Sequence, residues 1–105
     1  MEKNLTASGL TLNFDTIYDD YETFMNESRD PIYRTILKAF EKLKDREKVS
    51  VNVFANVEMT EFESELEFTK SNLDILTDVI NPYFEEREEY ELCAKVMKIL
   101  SELKN

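Results

Sequence analysis

Residues 49–68 read VSVNVFANVEMTEFESELEF. Val49, Val51, Val53, Ala55, Val57 and Met59 alternate with Ser50, Asn52, Phe54, Asn56, Glu58 and Thr60, and Phe54 is the one apolar residue on the polar side. An apolar period of two, rich in β-branched side chains, predicts a half-buried strand, because successive side chains point to opposite faces. A second alternation follows at once. Phe62, Leu66 and Phe68 fall on one side and Glu61, Glu63, Glu65 and Glu67 on the other, with Ser64 interrupting the apolar side. The two runs predict an antiparallel hairpin turning near residues 58–61, although that turn lacks the Gly, Asn or Pro that such turns favour.

Working outward, the period changes to that of a helix. Upstream, Leu10, Leu12 and Phe14 follow the only glycine, Gly9, and leave room for a short extra N-terminal strand. Asp15 is an N-cap candidate, and Ile17, Tyr18, Tyr21, Phe24 and Met25 trace one helical face, predicting a helix over 15–28. Asp30-Pro31 reads as the start of the next helix, over 31–46, with Pro31 at its first position and Ile36, Leu37, Phe40 and Leu43 inward. Downstream, Thr69 or Ser71 caps a helix over 71–80 that Asn81-Pro82 ends, because the residue before proline avoids helical backbone. A last helix over 82–103 carries Leu92, Cys93, Val96, Met97, Ile99, Leu100 and Leu103, an arc wider than one stripe. Such a helix is central in the fold or shared with a partner, so Val96, Met97, Leu100 and Leu103 are the candidate residues for self-association as a homo-oligomer.

The predicted fold is a small α+β domain of order ααββαα, one hairpin packed by helices. Val51, Val53, Phe40, Leu76, Val96 and Leu100 are expected in its core. Residues 1–8 have no periodicity and are expected to be disordered. Residues 9–105 form a single acidic domain, with enough apolar residues (42%, including seven Phe and five Tyr) to build a core.

Charge decides what function the sequence allows. Twenty-three acids face 13 bases, with no histidine, for a net charge of −10. Six bases, Arg34, Lys38, Lys42, Lys44, Arg46 and Lys48, sit between Pro31 and Lys48 beside three acids, leaving a strongly negative remainder. Such a field repels nucleic acid and anionic membranes and attracts basic partners. The basic stripe is expected to pair with acidic elements of the same chain.

Catalysis has little to stand on. Without histidine the usual base near neutral pH and the common zinc and triad arrangements are missing. The single cysteine, Cys93, lies on an apolar helical face where an inert thiol is expected, and it allows no intramolecular disulfide. No glycine-rich phosphate loop or calcium loop occurs, and no cofactor is implied. The N-terminus lacks the apolar run of a signal peptide, so a reducing, cytoplasmic setting is expected.

Two acidic groups remain as candidate partner-binding residues. On a strand, Glu61, Glu63, Glu65 and Glu67 would stand about 6.6 Å apart on one face, a phosphate-like row. The same row also serves as a solvated face that blocks edge-to-edge aggregation. Asp19, Asp20 and Glu22, beside Tyr18 and Tyr21, form the second group. The expected function is a non-enzymatic binder that occludes a basic, nucleic-acid-binding surface of another protein. Immunity proteins and phage anti-defence or anti-CRISPR proteins share its charge and size, an analogy of those properties alone.

Overall fold

The computed structural model describes residues 9–104. The expectation of a disordered 1–8 lies outside them.

The hairpin forms as the alternation predicts. β2 (Lys48–Val57) pairs antiparallel with β3 (Thr60–Thr69). Val49, Val51, Val53, Val57 and Phe68 are buried, while Glu61, Glu63, Glu65 and Glu67 face solvent. The loop is Glu58 and Met59 alone, with φ of 53° and 61°. Two left-handed residues make the turn type whose twist matches a hairpin, and here neither is glycine. Two hydrogen bonds offset the strain: Glu58 N–H donates to the Tyr18 carbonyl at 2.9 Å, and the Glu58 carboxylate accepts from the Tyr21 N–H at 3.2 Å.

The N-terminal strand is longer than expected, and the helix predicted over 15–28 starts late. β1 (Gly9–Tyr18) runs parallel to β2, giving a three-stranded sheet of order β1-β2-β3. Its register shifts by two residues between Asn13 and Ile17, which keeps the phase of the strand, so Tyr18 lies on the same side as Leu10, Leu12 and Phe14 and packs on Phe24 with ring centroids 5.1 Å apart. Ile17, predicted inward on a helix, is 66% exposed on the strand. The N-cap is Asp20 rather than Asp15, since the Thr23 N–H donates to Asp20 Oδ1 at 2.7 Å.

The two expected helices are one, α1 (Tyr21–Lys42), which runs through Pro31. Packing overrides the proline. Phe24 before it and Phe40 after it are both fully buried, so the rod is held on the sheet from both halves. The carbonyl that Pro31 cannot reach belongs to the exposed Glu27, where water can bond it. Asp30 is not a cap; its carboxylate accepts from Arg34 Nε at 2.6 Å and from the Tyr83 hydroxyl at 3.2 Å.

Pro82 does not break its helix either. After a 3₁₀ turn (Lys70–Asn72) capped by Thr69, the chain coils through a π-helical stretch (Leu76–Ile80) into α2 (Asn81–Glu86). The Asn81 N–H reaches back to the Leu76 carbonyl, and this wider turn accommodates the ring of Pro82. The break predicted there falls six residues later. Glu88 has φ 59°, Glu88 N–H bonds the Glu85 carbonyl, and Glu89 N–H bonds the Phe84 carbonyl at 2.9 Å. That double bond pattern ends a helix with a left-handed residue. The expected helix 82–103 is therefore divided, and its second part is α3 (Tyr90–Leu103).

The core lies between the inner sheet face and these helices. All six expected core residues, Phe40, Val51, Val53, Leu76, Val96 and Leu100, are buried.

Candidate functional site

The helices cover one face of the sheet and leave the other open. On the open face β2 presents Ser50, Asn52, Phe54 and Asn56. Opposite them on β3 stand Glu67, Glu65, Glu63 and Glu61, and β1 adds Thr11, Asn13 and Ile17. Asn52 thus lies between Thr11 and Glu65, Phe54 between Asn13 and Glu63, and Asn56 between Ile17 and Glu61. The result is a half-exposed patch of amides around one aromatic ring, with a carboxylate row along one edge; within it the Asn56 Oδ1 is buried and has no hydrogen-bond partner among the described residues. Glu67 pairs with Lys48 at 3.6 Å. Glu61, Glu63 and Glu65 have no ion-pair partner among the described residues.

The second acidic group meets this face at one corner. Glu58 is bonded to both Tyr18 and Tyr21, so the hairpin turn docks where β1 passes into α1. Asp19 and Glu22 are exposed there. Asp20 is exposed too, but its carboxylate serves α1, accepting from the backbone and hydroxyl of Thr23. Sequence reasoning missed the apolar part of the corner. Met59, 92% exposed at the turn, joins Ile17 and Tyr21 among the carboxylates. The signal available was the turn itself, two large residues where small ones are favoured.

On the inner side, α1 crosses β1 and β2 and leaves β3 only partly covered. Between them runs a cleft of about 230 Å³, open to solvent and walled by Phe24, Phe62, Ser64, Leu66 and Met25 among others. Ser28 also lines it; its side chain is 0% exposed and its Oγ has no hydrogen-bond partner among the described residues.

The apolar arc of the last helix resolves largely into core. Val96, Leu100 and Leu103 are buried within the fold, so they are not free to form a self-association surface, and Met97 alone is exposed, at 59%. The basic stripe is partly consumed at home. Arg34 pairs with Asp30 and Glu89 and lies over the Phe84 ring, and Lys44 reaches Glu102 at 3.4 Å. Those two carboxylates hold the Arg34 guanidinium protonated well above its ordinary range.

The Cys93 thiol is pushed up by burial first and then by Glu85 and Glu89, and it donates to the Asn81 carbonyl. A nucleophilic cysteine needs the opposite environment. Among the described residues no group of three or more Cys, Asp or Glu could hold a metal ion. No described helix is long and apolar enough to cross a membrane. No family model matches this chain, and no curated protein or solved structure matches it.

Proposed function

We propose that this chain is a non-enzymatic acidic binding protein that occludes a basic surface of another protein. The partner is one that grips nucleic acid, and the class is that of small intracellular inhibitors such as immunity or phage anti-defence proteins. One observation carries the proposal. Among the described residues three carboxylates, Glu61, Glu63 and Glu65, have no ion-pair partner on a sheet face that the helices leave uncovered, in a chain of net charge −10.

The mechanism follows from the field. Negative potential steers a basic surface into encounter, and carboxylates along the row then pair with its lysines and arginines. The exposed Met59 and Ile17, with the half-buried Phe54, supply the apolar contact that such an interface needs. Self-association through α3 is not carried further, because Val96, Leu100 and Leu103 are core and of the residues invoked for it only Met97 is exposed. The test is affinity capture of a partner followed by salt titration. Capture should weaken steeply as salt rises, and a partner retained equally at low and high salt would contradict the mechanism.

A further inference from the structure

We infer that the free edge of β3 takes its basic partner as an added strand, and that the segment it takes alternates apolar and basic residues. This rests on the basic-partner reading above and gives the bound segment its chemistry. β3 is the last strand of the sheet, and no described residue pairs with its outer edge. In a two-residue hairpin the closing pair, here Val57 and Thr60, is a hydrogen-bonded pair. By alternation the N–H and C=O groups of Glu61, Glu63, Glu65 and Glu67 point away from β2, toward the free edge. An extended segment laid there would complete the ladder by strand addition.

Its side chains would then alternate between two unlike surfaces. On the outer face they meet the carboxylate row. On the inner face they meet the cleft between α1 and β3, where Phe62, Ser64 and Leu66 face Tyr21, Met25 and Ile32. The cleft accepts apolar groups, and the exposed Arg29 at its rim disfavours an inward lysine, which fixes the phase of the alternation. The buried Ser28 hydroxyl, without a partner among the described residues, marks the same cleft as unfinished. A buried hydroxyl is costly when unpaired, and an inward tyrosine would bring it a partner at the end of an apolar body. A second copy is a poor occupant, because edge-to-edge pairing would set two glutamate rows side by side.

The test is an NMR titration of the ¹⁵N-labelled full chain with two end-blocked peptides. One is Lys-Val-Lys-Tyr-Lys-Val-Lys; the other, Lys-Lys-Lys-Lys-Val-Tyr-Val, has the same composition without alternation. The alternating peptide should bind about tenfold more tightly, and the Glu63 and Glu65 amides should gain hydrogen-exchange protection on binding. Glu65→Gln should weaken binding about two- to threefold, and Glu65→Pro, which removes an outward N–H as well as the carboxylate, about tenfold or more. Ser28→Ala should erase the preference for this peptide over its phenylalanine analogue. Equal affinity of the two peptides, unchanged protection at Glu63 and Glu65, or binding of neither would overturn the inference. Protection that grows with protein concentration alone would overturn it too, in favour of a second copy. The wild-type protection measurement decides the matter even where the proline variant fails to fold. None of these results removes the broader reading, which needs only the field and is decided by the captured partner's salt dependence.

Discussion

Three residues, Glu58, Met59 and Glu88, hold positive φ without being glycine. Left-handed backbone costs a residue with a Cβ roughly 1–2 kcal/mol. At Glu88 the left-handed position closes α2, and among the described residues its side chain makes no ion pair. Glu88→Gly should therefore stabilise the fold by about 0.5–1 kcal/mol, after the glycine's extra unfolded-state entropy is set against the relieved strain; urea unfolding reads it. At the hairpin turn the strain places Met59 in solvent next to Glu58, whose carboxylate accepts from the Tyr21 N–H. Met59→Gly should stabilise by a similar amount yet weaken partner binding.

Neighbours on α3 also separate by environment. Met97→Glu should change stability by within about 0.5 kcal/mol, because the side chain is already in water. Leu100→Glu should prevent folding, because it places a charge in the core. A thermal melt of the two variants distinguishes these outcomes. Cys93 gives a pH dependence. Its pKa is raised in the folded state, so its contribution to stability is fully present below the ordinary thiol range. That contribution is lost as pH rises through the folded value. Urea midpoints should fall with alkalinity, and fall less in Cys93→Ala.

The secondary-structure elements divide by whether their signal was local. The hairpin was legible because period two ran through both β2 and β3, with only Phe54 and Ser64 out of pattern. The junction of β1 and α1 was not. Ile17, Tyr18, Tyr21 and Phe24 have helical spacing, and Tyr18 does meet Phe24, but across a strand-to-helix corner rather than along one helix. Both prolines misled for one reason. Pro31 and Pro82 sit in helices that tertiary packing holds together, with fully buried Phe24 and Phe40 on either side of the first, and Ile80 and Phe84 around the second. The true helix break, at Glu88, carried no glycine to announce it. If packing overrides Pro31, then Pro31→Ala should raise stability by about 2 kcal/mol. Proline's helix penalty of ~3 kcal/mol is relieved, less what proline saves by restricting the unfolded chain.

At the scale of the whole molecule, the acidic row was legible because a strand reports its faces directly in sequence. The corner and the cleft were not, because both depend on where α1 crosses the sheet and how far it leaves β3 uncovered. The distribution of charge is also a property of the assembled fold. Arg34, Lys44 and Lys48 are drawn into ion pairs at home, while Glu61, Glu63 and Glu65 are left facing solvent. The most direct measurement is the association rate of a captured partner with the wild type and with Glu61→Lys, Glu63→Lys and Glu65→Lys combined, at low and high salt. The variant should fold as the wild type does, since these are surface positions, and should associate at least about tenfold more slowly at low salt, the gap narrowing as salt rises. An unchanged rate in the folded variant, with no salt dependence in the wild type, would contradict the account and reduce the carboxylate row to a device for solubility.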